Sequence, residues 1–109
     1  MNEILEDISV RNRTLSVLLP AEIDEQISSV LRMELDRQIS TKRIERIVFD
    51  FARTEWMDSS GLGMILGRFK KMQFVKGCIR AIHVNQRIAS VMRMAGLHKI
   101  ISINEGEEA

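Results

Sequence analysis

The chain has 109 residues, of which 45% are apolar and 28% charged, and its net charge is +1. That is the length of one domain, able to bury roughly 65% of its unfolded surface without disulfides or metal. The near-neutral charge leaves no electrostatic footprint for nucleic acid or an anionic membrane. No apolar run reaches the roughly 18 residues of a membrane span. The single cysteine, Cys78, excludes an internal disulfide and suits a reducing compartment. No charged leader precedes an apolar stretch, so the chain reads as cytoplasmic.

Weak alternation over residues 4–10, a turn at Asn12-Arg13 and a second strand over Thr14 to Leu19 predict an N-terminal hairpin. Pro20 ends it, because proline donates nothing to a ladder. Asp24 is placed to cap a helix whose apolar positions are Ile27, Val30, Leu31, Leu35 and Ile39. Lys42, Arg43 and Arg46 mark a solvated turn. Ile44 to Phe51 reads as a central strand buried on both faces. A helix over Ser60 to Val75 follows, stopped by Gly77 and presenting Leu62, Ile65, Leu66, Phe69 and Met72 to the core. This makes Leu66 a core residue and Arg68 a surface one.

Cys78 to Val84 predicts another strand. Asn85 then caps a short helix with Ile88, Val91, Met92 and Ala95 inward, and Gly96 suits the left-handed position after it. Ile100, Ile101 and Ile103 make a last strand, and residues 104–109 read as a frayed acidic tail. The order β-β-α-β-α-β-α-β predicts an α/β domain over residues 1–109. Its sheet is small, mixed and mostly parallel, with an antiparallel edge and helices packed on it.

The run Met57-Asp58-Ser59-Ser60-Gly61-Leu62-Gly63 stands between a strand and a helix. Unpaired N–H groups and the helix dipole favour negative charge there, so a serine in this place suits the addition and removal of phosphate. Ordinary helix capping explains the same residues. Ser59, Gly63 and Gly67 recur at i, i+4 and i+8, away from the apolar stripe. Two glycines inside a helix cost roughly 1 kcal/mol each relative to alanine. Either close packing within the fold or a flat strip open to a partner's backbone offsets that, with Met64, Arg68 and Lys71 beside it. Glu22 and Asp24 follow a strand end as Asp58 does, and such loops converge on one sheet edge. Asp24 and Asp58 therefore either flank Ser59 or serve only as caps.

An enzyme finds little support. His83 and His98 are tied to the serines by no motif, and the G-x-S-x-G arrangement is missing. One cysteine and two distant histidines make no metal set, and Gly61-Leu62-Gly63 lacks the following Lys-Ser/Thr of a phosphate loop. No catalytic residue, metal or cofactor is expected.

The stretch from Trp56 to Phe69 resembles the signature of the STAS domain of bacterial anti-anti-sigma factors, most closely the sporulation members that antagonise the anti-sigma F factor. Met94-Ala95-Gly96-Leu97-His98-Lys99-Ile100-Ile101 is similar to the second recurrent stretch of that family, and Glu22-Ile23-Asp24 to its Glu-Leu-Asp. The resemblance spans roughly residues 4–103 and implies a regulator that binds protein. It implies that Ser59 is phosphorylated by an anti-sigma factor that is itself a serine kinase. The unphosphorylated form would bind that kinase in its nucleotide-bound state and free the sigma factor; a serine phosphatase would reverse the modification. Glu22, Asp24, Asp58, Ser60, Gly61, Gly63, Met64, Gly67, Arg68 and Lys71 are the expected partner surface. Direct nucleic-acid or membrane binding is not expected.

Pro20-Ala21 stands where the family usually has glycine before Glu-Leu-Asp, and the chain ends soon after the last strand, where many members carry a further helix. The alternative is a STAS scaffold or sensory module that oligomerises or binds a small ligand, with Ser59 only a cap.

Overall fold

A computed structural model describes residues 7–105. Strands β1 (Ile8–Arg11) and β2 (Thr14–Leu18) form the antiparallel hairpin. Then come β3 (Glu22–Ile23), helix α1 (Glu25–Thr41), β4 (Arg46–Asp50), β5 (Trp56–Met57) and α2 (Ser59–Lys71). The chain continues through β6 (Ile79–Val84), α3 (Gln86–Met94), a 3-10 turn (Leu97–Lys99) and β7 (Ser102–Glu105). The main sheet has the order β1-β2-β4-β6-β7, parallel after the hairpin, and β3 pairs with β5 in a separate two-stranded ribbon. The mixed, mostly parallel α/β architecture is the one the element order predicts. Residues 4–6 of the expected first strand lie outside the described residues.

Each parallel strand is laid down on the same side of the one before it. Right-handed crossovers then carry α1, α2 and α3 to one face of the sheet. Leu15, Val17, Ile47, Phe49, Ile79 and Ala81 point to that face and are buried. They meet Leu31 and Leu35 of α1, Met64, Ile65 and Phe69 of α2, and Ile88, Ala89 and Met92 of α3 in one core. The other face, with Ser16, Val48, Asp50 and Ile82, is only half-buried. The expectation that the central strand is covered on both faces is thus corrected: among the described residues the monotonic strand order leaves no crossover for the second face.

Several boundaries and faces also differ. Helix α2 ends at Lys71, well before Gly77, because Gln73 and Phe74 turn to positive φ. Its buried stripe is Gly61, Met64, Ile65, Arg68 and Phe69, and Leu66 is 38% exposed. The helix is rotated from the expected face because it packs on α1 as well as on the sheet. Arg68 turns inward, its Nε 3.0 Å from Asp36 Oδ1 of α1, close enough for charge pairing although the N–H is not aligned as a hydrogen bond. Burial pulls the guanidinium below its ordinary pKa, against the attraction of Asp36. On α3, Val91 is exposed and Ala89 is buried instead, and Ala95, just past the helix end, is exposed. Ile100 and Ile101 precede the last strand, which takes in Asn104 and Glu105 rather than ending before them. Gly96 does adopt the left-handed conformation, with φ 82°.

Candidate functional site

The site is built where two helices begin side by side. Ile23 and Met57 are paired in the β3–β5 ribbon, and the Asp58 amide donates to the Ile23 carbonyl at 3.1 Å. The next residue on each strand is a helix cap. Asp24 accepts from the Ile27 amide at 2.9 Å, and Asp58 from the Ser60 amide at 2.9 Å. Both aspartates cap their helices, and the ribbon sets their backbones next to each other.

The loop that delivers β5 is fastened to the segment Pro20-Ala21. Thr54 Oγ1 donates to the Pro20 carbonyl at 2.8 Å, and the amides of Glu55 and Trp56 donate to the Ala21 carbonyl at 2.8 and 3.2 Å. Proline brings no N–H that this arrangement would have to satisfy. The Asn85 side chain reaches the Thr54 carbonyl from the start of α3 and fixes the loop from the other side.

The two serines differ sharply. Ser59, the first residue of α2, is exposed, and its hydroxyl has no partner among the described residues. Ser60 is half-buried; its hydroxyl donates to the Asp58 carboxylate and lies 3.0 Å from the hydroxyl of Ser28 on α1. Ser28 is fully buried. Periodicity passed over Ser28 because a serine on an apolar stripe carries no hydropathy signal, although its spacing to Leu31 and Leu35 fits the buried face.

The glycines also separate. A Cβ at Gly61 would meet Met57 Sδ at 2.6 Å and Ile23 Cγ2 at 3.2 Å, so Gly61 is required by packing under the ribbon. A Cβ at Gly63 or Gly67 would meet nothing within 4 Å. Close packing inside the fold is therefore not what these two glycines serve. Ser59, Gly63 and Gly67 follow one another along an open helix surface, joined by Leu66.

Other expected surface residues lie elsewhere. Met64 is fully buried and Arg68 is 4% exposed, so neither stands beside the strip as a contact. Lys71 is at the far end of α2, about 18 Å along the axis from Ser59. There it borders a cleft of about 400 Å³ with Ile39, Ile44, Glu45, Met72, Gln73 and Val75. Glu22 and Trp56 are exposed on the ribbon beside the caps. His83, at positive φ, places Nδ1 2.9 Å from Asp50 Oδ1 on the main sheet. Cys78 is buried, which raises its thiol pKa. Among the described residues no helix is long and apolar enough to cross a membrane.

The model of the STAS domain matches residues 7–109. An anti-sigma F factor antagonist of Paenibacillus polymyxa is 38% identical over 93 residues, 85% of this chain and 80% of its own. An anti-sigma-B factor antagonist of Bacillus subtilis is 28% identical, covering 94% of this chain and 92% of its own. Among solved structures, the anti-sigma factor antagonist SpoIIAA in its unphosphorylated form superimposes with a TM-score of 0.80 at 25% identity. That match covers 93% of this chain and 88% of SpoIIAA. SpoIIAA of Bacillus in its phosphorylated form gives 0.72 at 25% identity, covering 93% and 91%. With the family model spanning residues 7–109 and a relative 38% identical over 85% of it, the chain belongs to the STAS domain family of anti-sigma factor antagonists.

Proposed function

We propose that this chain is an anti-sigma factor antagonist switched by phosphorylation of Ser59. The unphosphorylated form binds an anti-sigma factor that is a serine kinase in its nucleotide-bound state, and so frees a sigma factor. Transfer of the ATP γ-phosphoryl group to Ser59 ends that binding, and a serine phosphatase restores it. The chain acts in the cytoplasm, as a regulator and not as an enzyme. The observation that carries this reading is the free, exposed Ser59 hydroxyl at the start of α2, above the open Gly63–Gly67 surface. Glu22, Asp24, Asp58 and Ser60 frame the contact, Gly61 shapes it from below, and Gly63 and Gly67 let a partner approach.

The phosphate brings about −1.5 to −2 charges to this edge. Against a closely fitted partner it adds bulk, desolvation and repulsion from Asp24, Asp58 and bound nucleotide. Such an uncompensated charge costs roughly 2–5 kcal/mol of binding, about 30- to 5,000-fold in affinity. The test is incubation with the anti-sigma factor of the same genome and ATP, with the phosphate mapped by mass spectrometry. One phosphate on Ser59, lost in Ser59→Ala while binding persists, is expected. Phosphate on Ser60 in the wild type, or undiminished labelling of Ser59→Ala, overturns the assignment.

The cleft bordered by Lys71 favours a second reading, a STAS scaffold or sensory module that oligomerises or binds a small ligand without phosphorylation. No modification by the kinase, together with persistent multimers, would support it.

A further inference from the structure

Two serines are adjacent at the start of α2, Ser59 exposed and Ser60 half-buried, yet a switch with one off state needs one acceptor. We propose that Ser28, on a different helix, decides which serine takes the phosphate; the inference rests on the phosphorylation reading above. A hydroxyl has one hydrogen and two lone pairs. The hydrogen of Ser60 goes to the Asp58 carboxylate, a charge-assisted bond. With that hydrogen spent, the contact of 3.0 Å between Ser60 Oγ and Ser28 Oγ is donated by Ser28. Ser60 thus has its hydrogen and one lone pair engaged, and both partners hold it toward α1. Each bond polarises the next, so the chain Ser28–Ser60–Asp58 strengthens as a unit.

Phosphoryl transfer forms a bond from the acceptor Oγ to the γ-phosphorus of ATP. It breaks the bond from that phosphorus to the β,γ-bridging oxygen and releases ADP. The hydroxyl proton passes to a base on the kinase. Ser59 can offer its oxygen without breaking any contact within the described residues. Ser60 must first turn outward, which leaves the fully buried Ser28 hydroxyl without a partner. An orphaned buried hydroxyl is equivalent to roughly a 5- to 150-fold loss in rate. Removing the Ser28 hydroxyl removes that penalty, because no buried group is then abandoned. Ser28 is a positioning residue: it touches neither nucleotide nor phosphate and acts through Ser60.

The experiment measures how phosphate divides between Ser59 and Ser60, using the anti-sigma kinase of the same genome with ATP. Wild type, Ser28→Ala and Ser28→Thr are compared, each also in a Ser59→Ala background. The ratio is read within one molecule, so a general loss of fold or affinity does not move it. We expect Ser28→Ala to raise labelling of Ser60 at least fivefold over the matched Ser28 protein, and Ser28→Thr, which keeps the hydroxyl, to restore the wild-type ratio. Should Ser28→Ala fail to fold, Ser28→Cys, a weak donor of similar size, carries the same test. An unchanged ratio with Ser59 labelled normally overturns the role of Ser28 and leaves the switch intact. Absence of label on both serines of the wild type overturns the switch and the selectivity with it.

Discussion

Three glycines of α2 carry opposite consequences for the same substitution. In the middle of a helix, alanine is favoured over glycine by about 1 kcal/mol, because glycine loses more backbone freedom on folding. A Cβ at Gly63 or Gly67 meets nothing within 4 Å, so nothing offsets that gain. Gly63→Ala and Gly67→Ala should each stabilise the domain by about 1 kcal/mol, a rise in Tm of roughly 4–8 °C. A Cβ at Gly61 would press on Met57 Sδ at 2.6 Å and Ile23 Cγ2 at 3.2 Å. Overpacking of this kind costs roughly 1–3 kcal/mol, so Gly61→Ala should destabilise despite its better helix propensity. Urea unfolding followed by far-UV circular dichroism gives the three midpoints. A lowered midpoint for Gly63→Ala or Gly67→Ala would refute the open strip, because it would show the strip packed against something in the fold. If the strip is instead a contact surface, Gly67→Leu stays folded and loses its partner in a pull-down.

Arg68→Ala should cost roughly 2–4 kcal/mol, since it strips the partner from Asp36 and empties a buried site, while Leu66→Ala should cost less than about 1 kcal/mol. The reverse order in urea melts would mean that the helix is rotated from the face described. Asp58→Ala should lose more stability than Asp24→Ala, which removes a cap worth about 1 kcal/mol, because Asp58 also holds the Ser60 hydroxyl. Equal losses in thermal unfolding would sever Ser60 from the cap. Burial raises the Cys78 pKa, so less thiolate is present at a given pH than in the unfolded chain. A thiol reagent at pH 8 should label the native protein slowly and the guanidinium-unfolded protein at once. Ser59→Asp should weaken partner binding less than phosphate does, without lowering Tm; unchanged affinity in titration calorimetry with either charge would contradict the switch.

The elements were legible wherever a hydrophobic period met a capping residue. Asp24 and Asn85 each begin the helix that the sequence assigns them, and Asp58, which the sequence leaves open between cap and flank, caps α2. What failed was the assumption that charge means surface and leucine means core. Arg68 finds Asp36 on a neighbouring helix, a pairing 32 residues distant that no local window contains. The ribbon of two-residue strands was missed because strands so short have no period. Topology allowed Asp24 and Asp58 to lie at one edge without deciding it, and the partner of Ser60 was not legible, since Ser28 lies in a different helix and a serine carries no hydropathy signal.

The ribbon that joins Ile23 to Met57 also determines how the proposed switch should respond to salt. It brings two helix N-termini together with their carboxylates already in place, so the positive ends that would ordinarily welcome a phosphate are occupied. A phosphate on Ser59 would add about 1.5 to 2 negative charges beside the two capping carboxylates and the exposed Glu22. Repulsion among them is screened over about 10 Å at 0.1 M ionic strength, whereas steric exclusion is not screened at all. The affinity that the phosphorylated chain regains as salt is raised therefore reads out how much of the off state is charge and how much is bulk.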